Sequence, residues 1–202
     1  DPDHDHDHEE GHDHGGVPVT IGLRQYRADL RGVLDLGDGF FDALHTRWGY
    51  SDYTHTEFEG DEIGTVFDVE GVEGRVELVQ SRRNGWGGSI GAQYGHTDFV
   101  ATGAEAFVPP NKTDTFALFT VQELAADPFE FEVGGRYERT SIDAHSIGED
   151  RSFDTFSGAV GLSYGLADEL RLGLNASRAE RAPSAQELFA EGPHIATQQF
   201  EL

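Results

Sequence analysis

The chain has 202 residues, a formal charge of −24 and no cysteine. The lack of thiols excludes disulfides and thiolate metal sites, and the negative charge disfavours nucleic acid and anionic lipid headgroups as partners. No apolar run approaches the ~18 residues of a transmembrane helix, while 26 glycines and 11% aromatic residues argue against a disordered chain.

The first 16 residues, DPDHDHDHEEGHDHGG, are of low complexity and cannot form a core. Neutral imidazole is a good ligand for zinc and its neighbours, and an adjacent carboxylate can bind the ion or orient the ring. We therefore predict a flexible extracellular segment that binds divalent metal, with Zn2+ the first candidate and other divalent ions open. An expression tag is the alternative, although tags are usually uninterrupted histidines. The predicted ligands are His4, His6, His8, His12, His14, Asp3, Asp5, Asp7 and Asp13.

Strand-like runs separated by turn clusters follow from residue 17 to residue 202. Tight clusters occur at 37–39, 82–85, 125–128 and 167–169, and their Asn-Gly and Asp-Gly pairs favour hairpin turns because they tolerate positive φ. Longer loops rich in Asp, Glu, Gly, Thr and Pro are predicted near 55–64, 97–113, 143–152 and 179–196. Strands are predicted near 19–35, 41–54, 66–81, 86–98, 114–124, 129–141, 153–165 and 170–178, with a ninth from about residue 197.

The fold class predicted from this pattern is all-β, an antiparallel up-and-down transmembrane β-barrel segment of about eight or nine strands. Long outer loops, short periplasmic turns and apolar–polar alternation are the plan of outer-membrane barrels. Alternation is clean in the runs beginning at Trp86, Phe129, Phe156 and Leu170. It changes phase within 19–35 and 66–81, which calls for a bulge or a water-exposed upper half. A soluble antiparallel sandwich is the alternative.

This topology predicts which histidines lie on the outer side of the membrane and which lie in the barrel lumen. If the short turns are periplasmic, the secondary metal candidates His55, His96, His145 and His194 lie in or beside outer loops. The histidines of residues 1–16 precede a strand that runs down to the first short turn, so they also start outside. His45 is the exception, on a strand face opposite Leu44 and Trp48, and is expected in the lumen.

The segment from Ser177 to His194, SRAERAPSAQELFAEGPH, is the most distinctive. Ser184 follows a proline and precedes Glu187 by three residues, which is a capping-box signature for a short helix to about Ala190. The segment closely resembles the "RAPSxxELF…GPH.AT..FE" stretch in the barrel of TonB-dependent receptors. The segment Phe107–Phe116 looks like another loop-to-strand junction of that family. Together with the His-rich segment, the chain resembles the zinc-uptake branch.

The resemblance implies a barrel of about 22 strands filled by an N-terminal plug and driven by the TonB complex. Residues 17–202 hold only a partial barrel and no plug domain, so the chain is expected to be a fragment. The TonB complex is thus a partner of the full-length parent only. Outer-membrane lipid and divalent metal ions are the partners expected of this piece.

No catalytic constellation is evident: Gly-x-Ser-x-Gly, His-Glu-x-x-His and the phosphate loop are absent, so an enzyme is not expected. We predict part of a bacterial outer-membrane receptor that captures and imports divalent metal, zinc first. A receptor for a siderophore or metal chelate in the same fold, and a soluble His/Asp-rich metal-binding β-protein, are the alternatives.

Overall fold

Eight antiparallel strands form one sheet in chain order. The computed structural model describes residues 19–103, 106–167, 169–190, 192–194 and 199–201. The sheet consists of β1 (Val19–Asp35), β2 (Phe41–Glu59), β3 (Glu62–Arg83), β4 (Trp86–Gly103), β5 (Asn111–Ala126), β6 (Phe129–Ala144), β7 (Glu149–Ala167) and β8 (Leu170–Arg178). A 3₁₀ turn (His145–Ile147) precedes β7, and α1 (Ala185–Phe189) follows β8, before β9 (Gly192–His194) and β10 (Gln199–Glu201).

This sheet confirms the predicted fold class. Each strand pairs antiparallel with the next, and in the described part of the chain β1 and β8 remain as two open edges. The predicted metal-binding segment, residues 1–16, lies outside the described residues. The same holds for the start of the predicted ninth strand near 197; the nearby β10 pairs with β9 in a separate two-stranded sheet.

The connections at one end of the sheet are short, as predicted, and we call this the turn end. In the β3–β4 connection, Asn84 and Gly85 both have positive φ, 51° and 82°, as a two-residue hairpin of the type I′ class requires. Pro128 lies in the equally short β5–β6 connection. Local turn chemistry therefore sets the register of these hairpins.

The opposite end, which we call the loop end, corrects one detail of the prediction. Residues 55–64 are not a long loop: β2 and β3 continue to a two-residue turn at Gly60–Asp61. Residues 143–152 are likewise mostly strand, around a short 3₁₀ turn. The hairpins are long, as expected, but the residues predicted to be loop are mostly paired strand. Backbone hydrogen bonding between the strands continues past the point where the apolar residues change from one face to the other.

One face of the sheet carries a continuous apolar belt. Ile90, Phe131 and Leu172 lie on it with 40%, 43% and 55% of their surfaces exposed. In-register neighbours extend the belt across the strands: Leu30, Trp48, Val76, Leu118, Val133, Phe156, Val160 and Leu174. A soluble sandwich would bury these side chains between two sheets, so the exposed belt excludes that alternative. We call this the lipid face and the opposite side the lumen face.

Aromatic side chains border the belt. At the turn end, Trp86 and Phe129 lie on the lipid face, where outer-membrane barrels carry a girdle of aromatic residues. At the other border, three tyrosine hydroxyls donate to carboxylates on the next strand: Tyr50 to Glu70 at 3.1 Å, Tyr94 to Asp114 at 2.5 Å, and Tyr137 to Asp154 at 2.6 Å. These tyrosines have an apolar body against the belt and a hydrogen-bonded tip, the form found at membrane interfaces.

The spacing of these borders fits a membrane. Trp86 and Tyr94 lie at the two borders of β4. Eight steps of about 3.4 Å give about 27 Å of strand, which at a tilt of about 40° crosses about 21 Å, close to the ~25 Å apolar band of outer-membrane barrels. Among the described residues, no helix is long and apolar enough to cross a membrane.

Beyond the tyrosine border the polarity of the sheet inverts. On the lipid face the side chains become acidic, as at Asp52, Glu70 and Asp98, which are aligned across β2, β3 and β4. On the lumen face they become apolar or aromatic, as at Leu23 and Phe67. The pairing of β1 with β2 shows no register shift in this region. The phase change in the sequence therefore marks the water-exposed upper half and not a bulge.

Candidate functional site at the loop end of the lumen face

The predicted histidines lie towards the loop end but do not converge. His55 is on the lumen face of β2, whereas His96 is on the lipid face of β4, where its Nδ1 lies 3.0 Å from Asp114 Oδ1. His145 is exposed in the 3₁₀ turn, against the Asp143 carboxylate. His194 belongs to β9, with its side chain outside the described residues. No group of three or more His, Asp and Glu side chains is placed to hold a metal within the described ranges.

His45 lies on the lumen face near the turn end, as predicted. It pairs in register with Val33 on β1 and Glu77 on β3. It lies ten positions before His55 on the same strand and the same face. The two histidines therefore mark the two ends of the lumen wall.

The lumen face between these ends is polar and internally paired. Arg75 lies 3.0 Å from Glu77, and Arg136 Nη2 lies 2.5 Å from Glu138, each pair two residues apart on one strand. The Arg75 guanidinium also stacks over the Phe119 ring at 3.8 Å, a cation–π contact. These pairs make the lumen wall polar and hold its charged side chains in defined positions, in contrast to the apolar lipid face.

An aromatic row begins at His55 and crosses the inverted upper half of the sheet. The His55 ring lies 5.4 Å from the Phe67 ring on β3, and Phe67 lies 6.4 Å from Phe99 on β4. Tyr53 flanks His55 on the same strand at 6.3 Å. Because all four rings are on the lumen face, they form one wall that faces the barrel interior.

Helix α1 covers part of this wall and leaves a cavity of about 490 Å³ beneath it. A cavity of this size suits a small molecule, and the combination of aromatic walls with a few polar groups is typical of ligand sites. The apolar lining comes from Phe67, Phe99, Phe107 and Val108, and the polar lining includes Glu57, Asn111 and Gln186. We call this space the outer lumen cavity.

The segment Arg178–Ala190 places the helix over the cavity through its own hydrogen bonds. Ser184 caps α1 by accepting from the Glu187 amide at 3.2 Å, while the Glu187 carboxylate accepts from the Ser184 amide at 2.8 Å. Both carboxylate oxygens of Glu187 also accept from Arg181, at 2.6 and 2.7 Å. The structure thus contains the predicted capping box and adds a bidentate arginine clamp.

Glu180 fastens the same segment to the sheet. β8 ends at Arg178, opposite Gly158. The part of β7 that precedes Gly158 in the chain therefore has no pairing with β8 along this edge. The Glu180 carboxylate accepts from the Phe156 amide at 3.0 Å, and the Glu180 amide donates to Ser157 Oγ at 3.0 Å. These bonds replace the missing strand pairing and fix where α1 begins.

The arginine clamp makes the stability of α1 depend on pH. The hydrogen bonds from Arg181, supported by the Ser184 amide, lower the pKa of Glu187 from 4.5 to about 2. A depressed carboxyl pKa stabilises the folded segment above pH 4.5, and this contribution is lost as the pH falls from 4.5 towards 2. The protection factors of the α1 amides, which correct for the slower intrinsic exchange in acid, should therefore fall in that window in the intact receptor. Glu187→Gln should remove this pH step, and an unchanged step in that variant would contradict the role of the clamp.

Comparison with known proteins agrees with this geometry. The family model described as "TonB dependent receptor-like, beta-barrel" matches residues 3–201. The chain belongs to this receptor family. The barrel is therefore a bacterial outer-membrane protein, and the belt on its lipid face is the surface that meets lipid.

Two solved structures resemble this receptor barrel. "Copper transporter OprC" superposes with a TM-score of 0.72 at 18% identity, covering 88% of this chain and 34% of that one. The alcaligin outer-membrane receptor FauA from Bordetella pertussis has a TM-score of 0.48 at 17% identity, covering 74% of this chain and 27% of that one. The first match supports the fold. The chain spans about a third of the length of that protein, so it corresponds to a segment of such a barrel.

Sequence reasoning missed most of the outer lumen cavity. The predicted site residues did not include Phe67, Phe99, Phe107 and Gln186, because the predicted ligands were all histidine or aspartate. For Phe67, the available signal was the phase change within 66–81, which moves this residue onto the lumen face. Glu57 was missed because the candidates predicted from 55–64 included its histidine and none of its acidic residues.

Proposed function

We propose that the receptor containing this chain captures and imports a divalent metal ion, with zinc the first candidate. The observation that carries the proposal is the alternation of histidine and aspartate within residues 3–14. This segment joins β1 at the loop end, since Val19 pairs with Glu59 beside the Gly60–Asp61 turn. Imidazole and carboxylate in alternation form a ligand set suited to zinc and neighbouring ions.

In this proposal, the His/Asp segment raises the local concentration of a scarce cation at the mouth of the barrel. The formal charge of −24 favours the same process, because a surface of one charge sign attracts counter-ions. The acidic side chains of the loop end, such as Asp52 and Asp98, contribute to this field. Import is driven by the TonB complex acting on the full-length receptor.

A metal chelate or siderophore is the second candidate cargo, and the outer lumen cavity favours it. A bare ion needs no space of about 490 Å³ lined by Phe67, Phe99 and Phe107. An organic chelator would find aromatic walls and hydrogen-bonding groups there. Zinc uptake and ferric-chelate uptake by cells with and without TonB separate the two cargoes.

The test of zinc capture uses the full-length receptor in detergent and in cells. Replacing His4, His6, His8, His12 and His14 with asparagine should remove most of the zinc bound per receptor in calorimetry. It should also lower zinc uptake at limiting zinc. The matched control is His45→Asn, which changes a histidine at the far end of the lumen wall and should leave both values unchanged. Absence of zinc binding and of TonB-dependent zinc uptake in the unmodified receptor would refute the proposal.

A further inference from the structure

We infer that His55 and Glu57 form a metal-binding pair in the lumen wall, with the other coordination positions of the ion filled by water or by donors of the cargo. This inference rests on the proposed metal cargo and adds a second binding site for it, distinct from residues 1–16. The two residues are two positions apart on β2, so both side chains are on the lumen face.

The separation of the two donor atoms suits a shared ion better than a hydrogen bond. His55 Nε2 lies 3.6 Å from Glu57 Oε1, which is longer than the ~3.2 Å limit of good N–H···O hydrogen bonds. Two ligands at about 2.0–2.1 Å from zinc with a tetrahedral angle between them are about 3.3 Å apart. A movement of a few tenths of an ångström in either side chain would therefore bring both donors onto one zinc ion.

The surroundings of the His55 ring are compatible with the form that binds metal. Nδ1 has a long contact of 3.4 Å to the Tyr53 hydroxyl, and the tautomer with its N–H on Nδ1 leaves Nε2 with a free lone pair. Nε2 itself is buried and has no hydrogen-bond partner in the part of the chain that the structure describes. A buried acceptor without a partner is costly, and a cation between Nε2 and Glu57 would satisfy both groups.

The Glu57 carboxylate is also available. Several other lumen-wall glutamates are neutralised by an arginine, as Glu77 is by Arg75 and Glu123 by Arg82. Across the described residues, the ion pair of Glu57 is with His55, and no Lys or Arg lies within ion-pair distance. A register shift between Glu57 and Phe58 accompanies this position, and such irregularities commonly re-aim side chains at binding sites.

Two protein ligands define the kind of ion and the way it is held. One imidazole and one carboxylate suit zinc, copper(II) or nickel rather than calcium, which takes oxygen ligands only. Structural zinc sites close with four protein ligands, so a site with two keeps exchangeable positions. Glu57 also lines the outer lumen cavity, which leaves room for water or a small chelator at those positions. Such a site can take up an ion and release it again.

The experiment uses the full-length receptor in detergent, with His4, His6, His8, His12 and His14 replaced by asparagine so that zinc on residues 1–16 does not mask the lumen. Zinc is titrated against a chelating indicator, and X-ray absorption at the zinc edge reports imidazole in the coordination shell. Adding His55→Asn should weaken this residual binding by at least the ~10-fold that the loss of even an outer-shell partner costs, and should remove imidazole scattering. Glu57→Gln should weaken it comparably, whereas His45→Asn, on the same strand and face, should change neither reading.

Unchanged zinc affinity and imidazole scattering after His55→Asn would overturn the inference. If either variant fails to fold, judged by its resistance to SDS before heating, the receptor lacking only the five histidines decides the question, since an all-oxygen shell there would also overturn it. Either result would overturn the His55–Glu57 site alone, provided that the unmodified receptor shows TonB-dependent zinc uptake. If the unmodified receptor shows no such uptake, the proposed function itself is rejected.

Discussion

Val160→Arg is expected to decrease the free energy of unfolding of the receptor in a bilayer by about 2–4 kcal/mol. This is the cost of a cation at the midplane of an outer-membrane barrel. Val160 lies half-way along the belt on β7, between Val133 and Ala176, with 54% of its surface exposed. An arginine there would place its charge in hydrocarbon. Urea unfolding from lipid vesicles measures the loss.

Asn175→Arg is the matched control. Asn175 is opposite Gly161, one residue from Val160 in the ladder, but on the lumen face. It lines a polar recess that also contains Glu130 and Glu132, so an arginine there gains acidic neighbours and water. Its unfolding free energy should stay within ~0.5 kcal/mol of the unmodified protein, as for ordinary surface substitutions. Equal losses in the two variants would mean that the faces have been wrongly assigned.

Gly85→Ala should be the most damaging of the small substitutions at the turn end. Gly85 has a φ of 82°, in the left-handed region, which costs a residue with a side chain about 1–2 kcal/mol. A methyl group there would also overlap the Ala125 carbonyl, and the Ala125 amide donates to the Gly85 carbonyl at 2.9 Å. Overlap of this kind adds about 1–3 kcal/mol, so a total loss of about 2–5 kcal/mol is expected in urea unfolding.

Gly148→Ala separates the two contributions. Gly148 has a similar φ of 71°, but a methyl group there would meet open space. Only the conformational cost of about 1–2 kcal/mol should therefore appear. If the two alanine variants lose the same stability, the contact between the β3–β4 turn and β5 does not constrain Gly85.

The sequence was sufficient to predict the strands and their faces within the membrane. Alternation in runs such as Trp86–Tyr94 reflects a local physical demand, because successive side chains of a strand meet lipid and water in turn. The turns were predictable for a similar reason: Asn84 and Gly85 are among the few residues that tolerate positive φ. Both signals depend on neighbours in the chain.

The upper half of the hairpins was harder to predict. Asp, Glu, Gly and Thr in 55–64 resemble loop composition, yet β2 and β3 stay paired to Gly60. Their pairing depends on partners across the sheet, which composition does not report. The lumen-facing position of Phe67 reflects the phase change, which coincides with the tyrosine border between the membrane-spanning and water-exposed parts of the sheet.

The outer lumen cavity depends on contacts between distant parts of the chain, so it could not be predicted in this way. Gln186 on α1 and Phe67 on β3 line the same space although more than one hundred residues separate them in the chain. The capping box predicted the helix from its own residues. Its placement required the bonds from Glu180 to Phe156 and Ser157, which join the segment to an edge that only the folded sheet provides.

The strict chain order of the eight strands bears on how the receptor is assembled. Every hairpin closes on the segment made just before it, so each step of sheet growth carries only the small entropy cost of a short loop. A growing sheet can therefore take up one hairpin at a time at an open edge, with no earlier strand having to separate. Errors should accordingly remain local: a faulty turn delays the next hairpin while the strands already joined keep their register.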